Sequence, residues 1–200
     1  MRLVFTEQEL PATFNPGRPM TDDEYCDFCM ANPNLQLERT AAGKILIEPP
    51  ADGESDYQSG EVTIQLGGWA KMDGRGRTFG MRSMFLLPTG PAFSPDTAWV
   101  SHERLATMPK EQRRRFLPVC PEFVVEVMSP SDRLPSAQAK MGEWLRGGVE
   151  LAWLIDGDAR TVYIYRPGCE PEPRSGITTL EGEGPVAGFT LDLTEIWAGL

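Results

Sequence analysis

The segment Glu122–Met128 reads EFVVEVM, and it decides the fold of this 200-residue chain. A short, nearly continuous apolar run of this kind is typical of a strand that is buried on both faces of a sheet. Glu126 interrupts the run, and two-residue alternation places it on the same face as Val124 and Met128. A buried carboxylate is costly unless it is paired, hydrogen-bonded or bound to a metal. The sequence therefore indicates that Glu126 has a partner.

Helix and strand patterns alternate on both sides of this buried strand. Thr21 and Glu24 form a capping box, which predicts a helix that ends at about Ala31. The other predicted elements are strands at 35–39 and 44–48, a helix at 54–72, short strands near 78–80, 83–87 and 97–100, one or two short helices at 101–116, a helix at 135–147, strands at 151–155 and 161–165, and a strand and helical turn at 190–200. This order predicts a mixed α/β or α+β fold with one central sheet.

We expect a single domain covering residues 1–200, because this length is typical of one hydrophobic core. Residues 1–20 are predicted to form an N-terminal arm, and residues 168–200 a C-terminal extension. The chain has 20 glycines and 18 prolines, which indicates many turns but falls short of a low-complexity composition.

The chain is acidic, with a formal net charge of −10 and a pI near 4.7. An acidic body repels phosphate backbones at long range, which disfavours a protein that coats nucleic acid mainly by charge. An enzyme that cuts nucleic acid is compatible with this charge, because acidic metal sites are themselves negative. The sequence has no apolar run of transmembrane length, and its N-terminus lacks the apolar segment of a signal peptide. We expect a cytoplasmic protein without membrane contact.

The cysteines and the single histidine narrow the possible chemistry. Cys26 and Cys29 have C-x-x-C spacing, but no second pair completes a tetrahedral zinc site. Because Tyr25, Phe28 and Cys29 fall on one helical stripe, a core role is favoured over a metal or redox role. His102 is the only histidine, which excludes a multi-histidine zinc site and disfavours a Ser-His-Asp triad.

Two further residues extend the site that Glu126 suggests. Asp96 opens the apolar run Thr97–Val100, so Asp96 and Glu126 can lie at the ends of adjacent strands. Lys140 belongs to the next predicted helix, which can pack back against the buried strand. Two carboxylates and a lysine suit metal-dependent phosphodiester hydrolysis, because Mg²⁺ prefers carboxylate oxygens and an ammonium stabilises developing negative charge. The alternative is a buried ion pair that only holds strand to helix.

Several motifs occur in an order that resembles the bacterial Uma-two family. These motifs are Leu37–Arg39 with Gly43–Ile47, Ser94–Val100, Pro121–Asp132, Lys140-Met141, Gly148–Asp156 and Val162–Arg166. The resemblance spans roughly residues 20–198. It implies a restriction-endonuclease-like fold of the PD-(D/E)xK superfamily, in which helices and extra β-hairpins flank a central mixed sheet. It also implies an endonuclease that hydrolyses DNA with Mg²⁺ or Mn²⁺.

The resemblance further implies a role for individual residues. Asp96 and Glu126 match the metal ligands of the family. The usual lysine, two positions after the glutamate, is replaced here by Met128, and Lys140 in the next helix takes its place. Glu38 matches an acidic position in the first hairpin, where it would hold a metal-bound water.

Three smaller features of the sequence concern other candidate site residues. A histidine that many relatives carry after the first proline-rich loop is absent, and Tyr57 is the nearest polar aromatic residue. Ser129 and Ser131 are expected to cap the helix that follows them. The basic run Arg113–Arg115 is interpreted as a solvated helix face rather than as a contact for phosphate.

Two other functions stay open at the level of the sequence. A catalytically silent relative would use the nuclease fold as a binding or assembly module, with Glu126 and Lys140 paired structurally. A two-carboxylate glycoside hydrolase would need an open, aromatic-lined cleft. For the nuclease we expect a homodimer, because cutting both DNA strands needs two sites related by a two-fold axis.

Overall fold

A computed structural model describes residues 1–3 and 9–200 of the chain. Residues 4–8 of the predicted N-terminal arm lie outside the described residues. The following part of the arm forms a strand, β1 (Ala12–Phe14), which pairs antiparallel with β3 (Ile45–Glu48). This part of the arm is therefore joined to a sheet by backbone hydrogen bonds.

The described elements follow the predicted alternation and confirm a mixed fold in which helices flank a central sheet. In chain order they are β1, α1 (Asp22–Ala31), β2 (Gln36–Arg39), β3, α2 (Gly53–Asp73), β4 (Gly76–Gly80), β5 (Phe85–Leu86), β6 (Ala92–Phe93), β7 (Thr97–Ser101), α3 (His102–Ala106), β8 (Phe123–Val127), α4 (Leu134–Gly147), β9 (Leu151–Asp156), β10 (Thr161–Tyr165), β11 (Glu172–Ser175), β12 (Thr179–Glu181), β13 (Thr190–Asp192) and α5 (Thr194–Ala198). In the part of the chain that the structure describes, no helix is both long and apolar enough to span a bilayer.

Within the described residues, β8 lies inside a six-stranded sheet with the order β11-β10-β9-β8-β7-β4. It runs parallel to β9 and antiparallel to β7, and α4 supplies the crossover between the two parallel strands. All residues of β8 are buried, as predicted for a central strand. The register pairs Thr97 with Val125. Asp96 therefore lies one step further along, across from Glu126.

The two faces of this sheet pack against different helices. Val125 belongs to a core cluster that includes Leu66 of α2. Val124 belongs to a second cluster that includes Trp144 of α4. Because strand residues alternate between faces, Glu126 lies on the α4 face together with Val124, as the sequence predicts. A carboxylate is thereby placed inside the contact between β8 and α4.

A second sheet, with the order β1-β3-β2-β6-β5, packs against α1 and carries the first hairpin. The predicted capping box at the start of α1 is present: the Thr21 hydroxyl accepts from the Glu24 amide, and the Glu24 carboxylate accepts from the Thr21 amide. Tyr25 of α1 is fully buried, and its hydroxyl donates to the Leu37 carbonyl of β2 over 2.9 Å. These contacts fix the position of β2 and of the side chains that it carries.

The C-terminal extension packs on the α2 side of the six-stranded sheet. Leu191 and Ile196 are fully buried in the cluster that contains Leu66. Gln58 of α2 donates a hydrogen bond to the Ile196 carbonyl over 3.2 Å. The sequence did not predict β11, because this exposed edge strand contains Pro173 and charged residues, which edge strands tolerate and central strands do not.

The start of α4 shows that the predicted capping by Ser129 or Ser131 is wrong. The N-cap position is Arg133, whose side chain makes no capping hydrogen bond. The Ser129 amide and hydroxyl both donate to Oδ2 of Asp132, each over 2.8 Å, so Ser129 closes a local turn instead. Pro135 in the first turn favours helix initiation by its fixed φ.

Candidate active site

Four elements bring the predicted site residues to one place beside β8. Glu126 extends from β8 toward α4, and Lys140 extends from α4 back to the sheet. Asp96 immediately precedes β7 and contacts the backbone of β8. Glu38 reaches Lys140 from β2 of the second sheet. The structure therefore gathers all four residues, although they are distant in sequence.

Asp96 is held by the backbone of the neighbouring strand. Its Oδ2 accepts a hydrogen bond from the Val127 amide over 2.7 Å. Burial raises the pKa of the Asp96 carboxyl above its usual value, while the Val127 hydrogen bond and the Lys140 charge act in the opposite direction. The strand register thus fixes a carboxylate that is costly to ionise beside Glu126.

Glu126 is 8% exposed and has a partner for each carboxylate oxygen. Oε1 accepts a hydrogen bond from Nε1 of Trp144 over 2.7 Å, and Oε2 lies 3.2 Å from Nζ of Lys140. Burial raises the pKa of Glu126 well above its ordinary value. The Lys140 ammonium lowers this pKa, whereas the carboxylates of Asp96 and Glu38 raise it further. Additional positive charge beside Glu126 would therefore stabilise its ionised form.

Lys140 lies between two carboxylates. Its Nζ is 3.2 Å from Oε2 of Glu126 and 3.0 Å from Oε1 of Glu38, and it lies 5.7 Å from the ring centroid of Phe93. Burial lowers the pKa of Lys140, but the charges of Glu126, Glu38 and Asp96 outweigh burial, so the net shift is upward. Lys140 is accordingly an ammonium ion at neutral pH and not a base.

Glu38 is 1% exposed and anchors Lys140 from the second sheet. Its Oε1 also accepts a hydrogen bond from the Ser94 amide over 3.0 Å. Glu48 of the adjacent strand β3 lies near this pair. Burial raises the pKa of the Glu48 carboxyl, and the charge of Glu38 adds to this shift. Carboxylate charge therefore accumulates around a single ammonium.

The donor set fits a divalent cation held by two carboxylates. When all three are ionised, the carboxylates of Glu38, Asp96 and Glu126 carry more negative charge than Lys140 neutralises. Mg²⁺ is usually held by one or two carboxylates and completes its octahedron with water and substrate phosphates. Across residues 1–3 and 9–200, no group of three or more His, Cys, Asp or Glu side chains is arranged to hold a metal ion. The described residues therefore contain no closed structural metal centre of three or more such ligands.

These residues line a cleft of about 1000 Å³. Its charged lining beyond the central cluster is mostly acidic. The charged residues concerned are Glu48, Asp52, Asp56, Asp132, Glu143 and Arg146. Arg146 forms an ion pair with Glu143 over 2.7 Å, so its charge is already balanced. A polyanionic substrate would therefore need a cation in this cleft.

The chain matches a protein-family model over a range that includes all four residues of the cluster around Lys140. A family model named Uma2 and described as "Putative restriction endonuclease" matches residues 22–194. The chain belongs to the Uma2 family. The part of the chain that matches the Uma2 model contains Glu38, Asp96, Glu126 and Lys140. A search among curated proteins finds no match.

A solved structure shows the same fold as this member of the Uma2 family. It is described as a "putative nuclease belonging to DUF820" from Anabaena variabilis. The two chains align with a TM-score of 0.75 and 22% sequence identity, over 90% of this chain and 98% of the other. At this identity the similarity is evidence for the fold alone.

Tyr57, the polar aromatic residue nearest to the first proline-rich loop, is not among the described residues that line this cleft. Its hydroxyl lies near the charges of Glu61 and Glu195 instead. Ser55 and Ser59 of α2 are both buried and line the cleft at this end. Two small hydroxyl side chains of α2 therefore lie at this end of the cleft.

Trp144 is the residue that sequence reasoning missed. Its indole is fully buried, and its Nε1 donates a hydrogen bond to Glu126. The sequence contained a sign of this role. Trp144 follows Lys140 by four residues, and residues spaced by four lie on the same helix face. Both side chains therefore face Glu126.

The other candidates for chemistry lie away from the cleft. Cys26 is buried, as the core interpretation predicts, and all four cysteines are free. His102 is the exposed first residue of α3. Arg115 of the basic run pairs with Asp23 over 2.7 Å at the surface. None of these three residues lines the cleft around Glu126.

Proposed function

We propose that this chain is a Mg²⁺-dependent endonuclease that hydrolyses phosphodiester bonds in DNA. The observation that carries the proposal is the placement of Lys140 between Glu126 and Glu38, beside Asp96, in an open cleft. Membership of the Uma2 family supports the same reaction class. Cytoplasmic location, a single domain and a homodimer remain predictions of the sequence.

Asp96 and Glu126 would hold Mg²⁺ or Mn²⁺. When bound, the ion supplies a Lewis acid for the phosphate and makes its bound water more acidic. Each carboxylate oxygen has two lone pairs, so Glu126 can keep its contacts with Trp144 and Lys140 while it binds a cation. Asp96 uses only Oδ2 for the Val127 amide among its hydrogen bonds to described residues, which leaves Oδ1 for a ligand.

Lys140 contributes positive charge and hydrogen-bond donors rather than basicity. Because its neighbours keep it protonated, Lys140 orients the attacking water or stabilises the negative charge that develops on the phosphate oxygens. In the overall reaction, the water oxygen bonds to phosphorus and one P–O ester bond breaks. The products are a phosphate monoester and a free hydroxyl group.

Glu38 acts mainly by positioning Lys140. Its buried carboxylate is held by the Ser94 amide, so it is a rigid anchor for the ammonium. The carboxylate can in addition hold a water on the metal, as the resemblance implies. In either role Glu38 contributes from a different sheet, which ties the geometry of the cluster to the packing of β2 against the central sheet.

A catalytically silent module is the second candidate. The observation in its favour is that both oxygens of Glu126 are already engaged by Trp144 and Lys140. That arrangement would be complete without any cation. A glycoside hydrolase is not supported, because Phe93 is the one aromatic side chain among the described residues that line the cleft.

A cleavage assay on supercoiled plasmid in the presence of Mn²⁺ separates the two candidates. The nuclease predicts nicked or linear DNA with the wild type and a loss of at least about 100-fold for Lys140→Ala, the scale of a removed transition-state contact. Glu111→Gln, an exposed charge removal outside the cleft, is the matched control and should cut normally. Absence of chelator-sensitive cleavage by the wild type would favour the silent module.

A further inference from the structure

The outward face of α2 carries large apolar side chains that no other part of the described chain covers. Ile64 is 67% exposed and Met72 is 85% exposed. Together with Gly60 and Gly68 they recur every four residues, so they form one stripe along the helix. The opposite side of α2, which includes Leu66, is buried in the core. The stripe is therefore an apolar face on an otherwise well-packed helix.

The glycines of this face have no structural reason within the described chain. A Cβ atom added at Gly60, Gly67 or Gly68 would meet no atom within 4 Å. None of the three has a positive φ, so the backbone does not require glycine there. Glycine in a helix interior is unfavourable because it loses the most conformational freedom on folding. Space above these positions is useful only if another surface approaches the helix closely.

The charges beside the stripe are opposite at its two ends. Glu61 lies one turn before Ile64, and Lys71 lies next to Met72. In the part of the chain that the structure describes, neither Glu61 nor Lys71 forms an ion pair. A surface that approaches this face must therefore offer positive charge near Glu61 and negative charge near Lys71.

We propose that the face formed by Gly60, Ile64, Gly68 and Met72 pairs with the same face of a second copy of this chain, with the two α2 helices antiparallel. A two-fold axis level with Leu66 places Ile64 against Gly68 of the partner subunit. The turn that holds Gly60 then faces Met72 of the partner subunit. Each large side chain meets a glycine, which is the self-complementarity that a two-fold interface requires.

The charges select this antiparallel arrangement. Level with Leu66, the two-fold axis brings the turn of Glu61 opposite the turn of Lys71 of the partner subunit, and the contact occurs twice. A parallel pairing would place like charges side by side, which is unfavourable. A different protein would have to offer a basic patch near Glu61 and an acidic patch near Lys71. A second copy of this chain already offers both, because its own α2 carries Lys71 at one end of the stripe and Glu61 at the other.

The pairing leaves both clefts open. Ser55 lines the cleft at the N-terminal end of α2, and it lies eleven residues from Leu66. At a rise of 1.5 Å per residue, the two Ser55 residues of the pair are about 33 Å apart along the helix direction. The two clefts thus lie at opposite ends of the interface, and the proposed pairing of the helices covers neither of them.

Sedimentation equilibrium of the full chain tests this interface. We expect the wild type to dimerise reversibly, Ile64→Glu to weaken dimerisation at least about tenfold, and Met30→Glu to leave it unchanged. Met30 is the matched control because it is 71% exposed but belongs to α1. Gly68→Leu should also weaken the dimer while the thermal stability of the monomer is kept or raised, because leucine is a better helix former than glycine.

A charge-reversal pair gives the sharpest test of the antiparallel arrangement. Glu61→Lys and Lys71→Glu should each weaken the dimer, and the double variant should recover most of the wild-type affinity. A wild type that stays monomeric up to near-millimolar concentration overturns the proposal, as does a dimer that Ile64→Glu leaves intact. Neither result bears on cleavage of DNA, which is measured separately in the plasmid assay.

Discussion

Nε1 of Trp144 donates a hydrogen bond of 2.7 Å to Oε1 of Glu126, one helical turn away from Lys140, which contacts the other oxygen of the same carboxylate. A single helix face thereby fixes both oxygens of a glutamate that the central strand places in the protein interior. This relationship explains how the fold tolerates a carboxylate on β8. It also makes the orientation of the proposed metal ligand depend on Trp144, a fully buried residue that contacts no substrate.

Trp144→Phe tests whether this hydrogen bond positions Glu126. Phenylalanine fills most of the space but leaves Oε1 without its donor, so we expect a loss of about 1–3 kcal/mol in the free energy of unfolding. Affinity for Mn²⁺ should fall about 10- to 100-fold, the usual effect of removing a group that orients a metal ligand. Titration calorimetry measures this affinity.

Trp153→Phe is the control for that experiment. Trp153 is likewise buried, at 1% exposure, but it packs on the opposite face of the sheet, in the cluster with Leu66. This variant should lose stability and keep its Mn²⁺ affinity. Equal Mn²⁺ affinities for the two variants would show that Trp144 is a packing residue only.

Lys140→Met tests the charge balance of the cluster. Without the ammonium, Glu126 and Glu38 are buried without a cation, so we expect the metal-free protein to lose about 3–5 kcal/mol of unfolding free energy. Urea denaturation in the presence of a chelator measures the loss. Saturating Mg²⁺ should recover part of it, because a bound cation replaces the missing positive charge.

The exposed Lys110 provides the comparison for Lys140. Lys110→Met should change the free energy of unfolding by no more than about 0.5 kcal/mol. If both methionine variants unfold at the same urea concentration as the wild type, the cluster around Lys140 is not held together by its charge.

Glu38→Gln separates positioning of Lys140 from direct binding of the metal. The glutamine oxygen can still accept from the Ser94 amide, but the ion pair with Lys140 is lost. We expect kcat for plasmid nicking to fall about tenfold with little change in KM, since the lost contact acts on the transition state. Mn²⁺ affinity should stay at the wild-type value. A loss of Mn²⁺ affinity as large as that of Glu126→Gln would instead make Glu38 a ligand.

The sequence predicted the backbone of the site better than its side-chain contacts. Periodicity and turn residues located β8 and α4, because a buried strand and an amphipathic helix have clear patterns. A glutamate within the apolar run EFVVEVM was by itself enough to indicate a buried carboxylate with a partner, and the structure places Lys140 and Trp144 beside it. The hydrogen bond from Trp144 to Oε1 of Glu126 was not predicted, since the pattern that marks Trp144 as buried does not show where the Nε1 atom of Trp144 points.

The parts of the fold that sequence patterns missed are short or held by distant contacts. β6 (Ala92–Phe93) has two residues and exists because Arg39 of β2 pairs with Ala92. Periodicity cannot be recognised over two residues. The predicted cap at Ser129 failed for a similar reason. Serine can close a local turn or cap a helix, and Asp132 decided between these outcomes.

Thr21→Ala tests whether α1 contributes to stability only. The capping box satisfies two amides at the start of α1, so its removal should cost about 1 kcal/mol of unfolding free energy. Thermal denaturation measures this loss. Mn²⁺ affinity should not change, because Thr21 does not line the cleft. A large loss of Mn²⁺ affinity would reveal a dependence of the site on α1 that the contacts do not suggest.

Titration calorimetry with Mn²⁺ or Mg²⁺ tests the central claim most directly, because it requires neither DNA nor catalysis. The account predicts saturable binding to the wild type and its loss in both Glu126→Gln and Asp96→Asn. Glu143→Gln, which removes a carboxylate elsewhere in the cleft, should bind as the wild type does. The absence of saturable binding to the wild type, or unchanged binding to Glu126→Gln, would contradict the claim that Asp96 and Glu126 hold a divalent cation.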